Sequence, residues 1–215
     1  MLVACWSAKG GMGTSVVAAA LALLLARRSQ AGAVLADMAG DAPHLLGIDD
    51  SPSPGLTAWL AAGPSVPADA LTRIEVPAGG GLALLPRGGG ALAVERAGVL
   101  AAVLAAGPRP AVADCGSTFD PATVALARRA DASYLVTRPC YLALRRVPGA
   151  PLVPTGVVLV RDDGHVLSRD DVEQAARAPV IADLVVDPSV ARAVDAGVLR
   201  SRLPRTLARG LRHAV

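Results

Sequence analysis

The sequence predicts an α/β fold in three layers, a mostly parallel sheet flanked by helices. Short apolar segments alternate with longer Ala- and Leu-rich segments, the pattern of parallel strands joined by crossover helices. Hydrophobic residues make up 53% of the 215 residues and aromatic residues only 2%, so the core must consist of Ala, Val and Leu. No long linker or repeat divides the chain. We therefore expect a single domain over residues 1–215.

The predicted strands are short and apolar and end at turn residues or acids. They cover residues 2–8, 33–37, 82–85, 111–114, 132–137, 155–160 and 180–186. The predicted helices occupy the segments between them, at residues 14–29, 56–62, 68–73, 91–106, 121–129, 168–177, 190–197 and 206–214. Ser168 is expected to cap its helix, with Asp170 and Asp171 favourably placed in the first turn.

A glycine-rich loop joins the first predicted strand to the first predicted helix. Strand, glycine turn and helix together form the context in which backbone N–H groups can cradle phosphate at a helix N-terminus. The candidate binding residues are Lys9, Gly10, Gly11, Met12, Gly13, Thr14 and Ser15. The alternative is a glycine-rich turn that serves close packing and binds no ligand.

Two further candidates are acids that directly follow apolar strands, Asp37 and Asp114. Ligands of parallel α/β sheets bind at the carboxyl ends of the strands, and a hydroxyl with two carboxylates suits a Mg²⁺–nucleotide site. We therefore assign Ser15, Asp37 and Asp114 as candidate metal ligands and assign no catalytic residue. Two alternatives stay open: Asp41 could replace Asp37, and Asp114 could simply cap the turn that follows it.

The basic residues single out one position. Of the 21 Lys and Arg residues only Lys9 is a lysine, and it lies within the glycine-rich loop. The Lys ammonium group is a compact point charge, whereas the Arg guanidinium is planar and spreads its charge over several N–H donors. The placement suggests a role that Arg cannot fill, although chance placement is the alternative.

The loop resembles the deviant Walker A motif of the MinD/ParA family of P-loop proteins, KGGxGK[ST]. Lys9 matches the signature lysine, Ser15 the magnesium-binding hydroxyl, and Gly10, Gly11 and Gly13 match the glycines. Asp37 matches the first switch I acid and Asp114 the Walker B acid. The resemblance implies ATP or ADP with Mg²⁺ as cofactor, a homodimer with nucleotide between the subunits, and a role in positioning cell-division, chromosome or pilus machinery.

Three positions depart from the family pattern. Thr14 stands at the Walker A lysine, Ala39 at the second switch I acid, and Val160 at an Asn that reads adenine. We expect Thr14 in an exposed first turn. Nucleotide binding is then expected to be weak or lost, and hydrolysis slow or absent. P-loops that lack conserved residues are also known in the TadZ- and CpaE-like proteins of pilus assembly, so the chain also resembles that subgroup.

Other function classes fit less well. The main alternative is a pseudo-ATPase scaffold that binds a protein partner without nucleotide. Iron–sulfur carriers of this superfamily need paired cysteines, and its tyrosine kinases carry a C-terminal tyrosine cluster. This chain has three cysteines without a CxxC motif, and its only tyrosines are Tyr134 and Tyr141. Cys115 is expected to be a small buried residue.

Composition and the C-terminal pattern bear on partners and location. The net charge of +3 indicates no specific nucleic acid partner, and unpaired cysteines indicate a reducing cytoplasm. A protein partner is expected but not identified. Leucines and a valine recur every four residues near the C-terminus among arginines, at positions 199, 203, 207, 211 and 215. This pattern predicts a helix packed on the sheet; the alternative is a basic helix that binds the inner face of the membrane.

Overall fold

The structure, a computed structural model, describes residues 1–48, 54–63, 66–162, 164 and 166–214. Its centre is an eight-stranded sheet in the order β3-β4-β2-β5-β1-β6-β7-β8, with every pair parallel except β3 and β4. The strands are β1 Leu2–Trp6, β2 Ala33–Asp37, β3 Val76–Gly79, β4 Leu82–Leu85, β5 Ala111–Asp114, β6 Ala132–Thr137, β7 Gly156–Arg161 and β8 Val180–Val185. The predicted α/β class is therefore confirmed.

Helices cover both faces of this sheet. They are α1 Thr14–Arg28, α2 Ala42–Leu46, α3 Leu56–Ala61, α4 Ala97–Ala106, α5 Pro121–Ala127, α6 Tyr141–Leu144, α7 Arg169–Ala176, α8 Pro188–Asp195 and α9 Arg205–Gly210, with 3-10 helices at Ala68–Ile74 and Val147–Gly149. Residues alternate between the two faces along β1: Leu2 and Trp6 pack with α3, α4, α5 and α7, whereas Val3 and Cys5 pack with α1, α2, α8 and α9. The result is the predicted three-layer arrangement.

Several predicted elements differ in extent or type. The segment 68–73 is part of a 3-10 helix, and four elements were not predicted: α2, β3, α6 and the 3-10 helix Val147–Gly149. Strand β3 contains Pro77 and pairs only with β4 at the sheet edge, the position in a sheet where proline is tolerated. Helix α2 has only five residues and begins with a proline in its first turn, so it is too short for a helical period to be recognised.

The prediction for α4 was wrong at its N-terminus, because the helix begins at Ala97 and not at residue 91. Arg96 occupies the N-cap, and its buried guanidinium donates hydrogen bonds to the carbonyl oxygens of Trp59 (3.2 Å) and Val66 (2.9 Å). The same guanidinium lies 3.9 Å from the centre of the Trp59 ring, a cation–π contact. A tertiary contact therefore marks the start of this helix, and the local hydrophobic pattern does not show it.

The C-terminal segment packs on the sheet. Leu199, Leu207 and Leu211 are buried in the same cluster as β8 and α1. Helix α9 ends at Gly210, earlier than predicted, and Val215 lies outside the described residues. The apolar stripe is thus used in the core, as the packing interpretation predicts. Among the described helices, none has the length and apolar character needed to cross a membrane.

The connection after β4 is held by the start of α3. The carbonyl oxygens of Pro86 and Arg87 accept hydrogen bonds from the N–H groups of Leu56 (2.8 Å) and Thr57 (2.9 Å). This approach requires a glycine at position 55. A Cβ atom on Gly55 would lie 2.5 Å from the Pro86 oxygen and 2.6 Å from the Arg87 carbonyl carbon. Those neighbours are backbone atoms, so the loop itself would have to move.

We predict that Gly55→Ala lowers the free energy of unfolding by about 1–3 kcal/mol, the usual cost of overpacking. Gly89→Ala is the matched control, because a Cβ there meets no atom within 4 Å and Gly89 lacks a positive φ. The control should change stability by less than about 0.5 kcal/mol. Urea unfolding of both variants measures the difference, and equal stabilities would show that the contact at position 55 is not restrictive.

Candidate functional site

The two acids that end strands lie side by side. In the parallel pairing of β2 with β5, Asp37 is in register with Asp114, and in the pairing of β1 with β5, Cys5 is in register with Asp114. The chain stays paired just beyond these ends: the Met38 N–H donates to the Asp114 carbonyl oxygen, and the Ser7 N–H donates to the Gly116 carbonyl oxygen, both at 2.9 Å. Three predicted site segments therefore meet at one edge of the sheet.

The glycine-rich loop leads directly into α1. Gly11 and Gly13 have φ values of +77° and +91°, and a Cβ atom at either position would meet nothing within 4 Å. The requirement for glycine is thus conformational. Gly13 is the N-cap of α1 and offers no side chain, and the first turn carries no acid. This fifteen-residue helix therefore begins with N–H groups that no side chain of the described residues caps, and with the positive end of its dipole.

A cavity of about 620 Å³ opens in front of this helix N-terminus. It is bounded by the loop, by the segments after β2 and β4, and by the segment after β5. The lining residues are Ser7, Gly10, Gly11, Met12, Gly13, Thr14, Ser15, Val16, Met38, Ala39, Asp41, His44, Leu45, Arg87, Gly116, Ser117 and Thr118.

Thr14 does not occupy the exposed position that we expected. Its relative exposure is only 7%, because the loop and the strand ends surround the first turn of α1. It nevertheless lines the cavity.

Asp114 is buried, with a relative exposure of 1%. Its Oδ1 accepts a hydrogen bond from the Gly116 N–H at 3.1 Å, so the capping alternative describes one of its oxygens. Its Oδ2 is also buried and has no hydrogen-bond partner among the described residues. Burial raises the pKa of Asp114 to about 6; the Ser15 hydroxyl lowers it, and the neighbouring Asp37 raises it. An unpaired, buried carboxylate oxygen is costly unless a cation or donor meets it.

Asp37 is fully buried, and its carboxylate accepts hydrogen bonds from the segment that follows it. Its Oδ1 accepts from the N–H groups of Ala39 (3.1 Å) and Gly40 (2.6 Å), and its Oδ2 accepts from the N–H of Ala42 (3.1 Å), the first residue of α2. Burial raises its pKa, and these three hydrogen bonds offset part of that effect. Asp37 is thus a clamp on the segment 38–42, and its role as a metal ligand stays a prediction. The alternative acid, Asp41, is exposed and lines the cavity.

Two basic residues follow strands that end at this edge of the sheet: Lys9 after β1 and Arg87 after β4. Lys9 is half-buried and does not line the cavity, and its carbonyl oxygen accepts a hydrogen bond from the Ser7 hydroxyl at 3.0 Å. Arg87 lines the cavity from the segment after β4, and sequence reasoning missed it. It could have been found by the logic that identified Asp37 and Asp114, since Arg87 also follows the end of a buried parallel strand.

Cys115 follows Asp114 and is buried, as expected. Burial, and then the charge of Asp114, raise the pKa of its thiol well above the ordinary value. A thiol with a raised pKa is protonated at neutral pH and is not a nucleophile.

The residues present fit a magnesium–phosphate group better than a metal held by protein alone. Within the described residues no group of three or more His, Cys, Asp or Glu is arranged to hold a metal ion. Mg²⁺ typically takes only one or two carboxylates and completes its shell with water and phosphate oxygens. The unpaired Oδ2 of Asp114, the Ser15 hydroxyl and the uncapped start of α1 provide ligands for both parts of such a group.

The fold is that of the MinD and ParA proteins. A ParA family ATPase from Chlorobium tepidum superposes with a TM-score of 0.83 at 21% identity, over 98% of this chain and 95% of that protein. MinD from Pyrococcus horikoshii, solved with Mg-ADP, superposes with a TM-score of 0.76 at 18% identity, over 97% of this chain and 91% of that protein. A chain of the MinC:MinD cell division protein complex from Aquifex aeolicus superposes with a TM-score of 0.78 at 17% identity, over 98% of this chain and 91% of that chain. No family model and no curated protein matches the sequence. Identities this low establish the fold alone.

We predict that Asp114→Asn stabilises the ligand-free protein. The pKa of about 6 lies above the ordinary value of 3.8, so the folded state binds a proton more tightly than the unfolded chain. Stability contributed by this group is therefore lost as pH rises through about 4 to 6. Above that range, Asn should raise the free energy of unfolding by about 1–3 kcal/mol, and the gain should vanish near pH 4. Urea unfolding across this range measures it, and a less stable variant at about pH 8 would contradict the expectation.

Proposed function

We propose that this chain, which has the MinD/ParA fold, binds ATP or ADP with Mg²⁺ at the carboxyl edge of its sheet and acts as a nucleotide-dependent positioning or assembly protein. The observation that carries the proposal is the pair of unsatisfied groups at that edge. Asp114 Oδ2 is buried without a partner, and α1 begins without a cap. The first group needs a cation and the second an anion, and a magnesium–nucleotide complex supplies both.

Each part of the site has a proposed task. The backbone N–H groups of residues 10–15 hold the phosphates, aided by the left-handed conformations of Gly11 and Gly13. The side chains of Ser15, Asp37 and Asp114 hold the metal ion, directly or through water. Mg²⁺ bound there would neutralise phosphate charge. The clamp from Asp37 onto the N–H groups of residues 39, 40 and 42 holds the segment after β2, which lines the cavity.

Two side chains make hydrolysis slow in this proposal. Thr14 places no ammonium group at the phosphates, although it lines the cavity. Ala39 also lines the cavity but carries no carboxylate to position an attacking water. The missing ammonium costs affinity, on the order of 1.5–3 kcal/mol. The missing carboxylate costs turnover, because water placement contributes to the transition state and not to the bound state.

We further propose a homodimer that engages a protein partner. Lys9 is the single lysine; it does not line its own cavity and forms no side-chain ion pair with another described residue. Its ammonium group is therefore free to reach phosphates bound by a second subunit. The partner and the process, whether cell division, chromosome partitioning or pilus localisation, follow from the family resemblance alone. The three free cysteines suit a cytoplasmic location.

The experiment that tests nucleotide function pairs binding with turnover. We predict that a fluorescent ATP analogue binds in a Mg²⁺-dependent way, that Asp114→Ala weakens binding, and that phosphate release is very slow or undetectable. Light scattering on the same samples should show nucleotide-dependent dimers that Lys9→Ala weakens. Turnover near ordinary enzyme rates of about 1 s⁻¹ or more, abolished by Asp114→Ala, would show that another residue replaces Thr14 and Ala39. Absence of any nucleotide binding would favour the pseudo-ATPase scaffold.

Restoring the missing cation gives a second prediction. Thr14→Lys places an ammonium group at the N-terminus of α1, facing open cavity volume. It should tighten Mg-ATP binding about ten- to a hundredfold, as expected for a charge-assisted contact, while turnover stays low because Ala39 is unchanged. Thr118→Lys is the control, since it adds the same charge at another position that lines the cavity. Equal affinities of Thr14→Lys and the wild type, with the fold intact, would mean that the loop is not shaped for phosphate.

A further inference from the structure

Arg87 is held in place from three directions. Its own carbonyl oxygen is fixed by the Thr57 N–H at 2.9 Å. Its guanidinium donates from Nη1 to the Met38 carbonyl oxygen at 2.5 Å and from Nη2 to the Gly90 carbonyl oxygen at 3.3 Å. The side chain therefore bridges the segments that follow the neighbouring strands β2 and β4. An arginine anchored in this way loses little side-chain entropy when it binds a ligand.

Gly40 leaves room for this arginine. Its φ is +106°, and a Cβ atom at that position would lie 3.3 Å from the Arg87 Cδ. A larger residue would be strained by its backbone conformation and would crowd the arginine stem. The Gly40 N–H is in turn clamped by Asp37. The segment after β2 is thus shaped around both the strand-end acid and the arginine.

No carboxylate of the described residues balances the charge of Arg87, although Asp41 lines the same cavity. Among the described residues around this cavity, Arg87 is the single Lys or Arg. A guanidinium has five N–H donors in a planar fork, so the two hydrogen bonds to carbonyl oxygens leave donors for an anion.

We propose that Arg87 is the phosphate-binding cation of this site and supplies the positive charge that Thr14 lacks. This inference rests on the proposed function, because it assumes that the cavity binds a phosphate group. Arg87 lines the cavity from the segment after β4, and the glycine-rich loop and the start of α1 line the same cavity. An anion bound there can therefore contact both the guanidinium and the backbone N–H groups of the loop. Arg also suits the task chemically, because its fork can bind two phosphate oxygens at once.

The test compares calorimetric titrations of wild type, Arg87→Gln, Arg87→Lys and Arg73→Gln with Mg-ATP and with inorganic pyrophosphate. Arg73 is exposed and does not line the cavity, so Arg73→Gln makes the same change in charge elsewhere. Arg87→Gln should weaken both ligands about ten- to a hundredfold, the range for a charge-assisted contact. Arg87→Lys should give an intermediate loss because it keeps the charge and loses the fork. Arg73→Gln should match the wild type.

A loss caused by a collapsed loop is separated by a rescue variant. Adding Thr14→Lys to Arg87→Gln should recover most of the lost affinity, because it returns a cation to the same phosphates; a disordered loop would not respond. If wild type binds and Arg87→Gln binds equally well, the role of Arg87 is wrong and nucleotide binding stands. A loss that Thr14→Lys does not recover also overturns the role of Arg87. If wild type binds neither ligand, the proposed function fails and this inference fails with it.

Discussion

The parallel pairing of β5 with β2 on one side and β1 on the other is the constraint on which the site depends. Register places Asp37 beside Asp114 and Cys5 beside Asp114, so one edge of the sheet receives the glycine-rich loop and both acids. Parallel strands end at a common edge only because crossover helices return the chain to the opposite edge. The Ala-rich strands and α1 allow that close packing. Any change that shifted β5 by one residue would separate all of these groups.

The site combines groups that are unfavourable alone. Burial raises the pKa of Asp114 and leaves one of its oxygens without a partner. The start of α1 carries an unmet positive dipole, and Arg87 carries a charge that no described carboxylate balances. A ligand with both a divalent cation and phosphates would satisfy all three.

Strands β2, β4 and β5 have the predicted bounds, because each is a short apolar run; β2 and β5 end at an acid, and β4 ends before Pro86. Strand β1 ends at Trp6, two residues earlier than predicted. The local hydrophobic pattern did not predict elements whose bounds depend on tertiary contacts. The start of α4 depends on the contact of Arg96 with Trp59, and α2 depends on the Asp37 clamp. Arg87 was missed because its position before three glycines indicated only a turn, although it follows a predicted strand, as Asp37 and Asp114 do. The burial of Thr14 likewise depends on neighbouring strand ends.

The central claim is that the carboxyl edge of this sheet is a magnesium–nucleotide site. The most direct measurement is a crystal structure of the protein grown with Mg²⁺ and a non-hydrolysable ATP analogue. We predict phosphates on the backbone of residues 10–15, a metal ion bound through Ser15 and Asp114, and the Arg87 guanidinium within hydrogen-bonding distance of a phosphate oxygen. An unchanged empty cavity at saturating analogue, or an analogue bound elsewhere on the molecule, would contradict it.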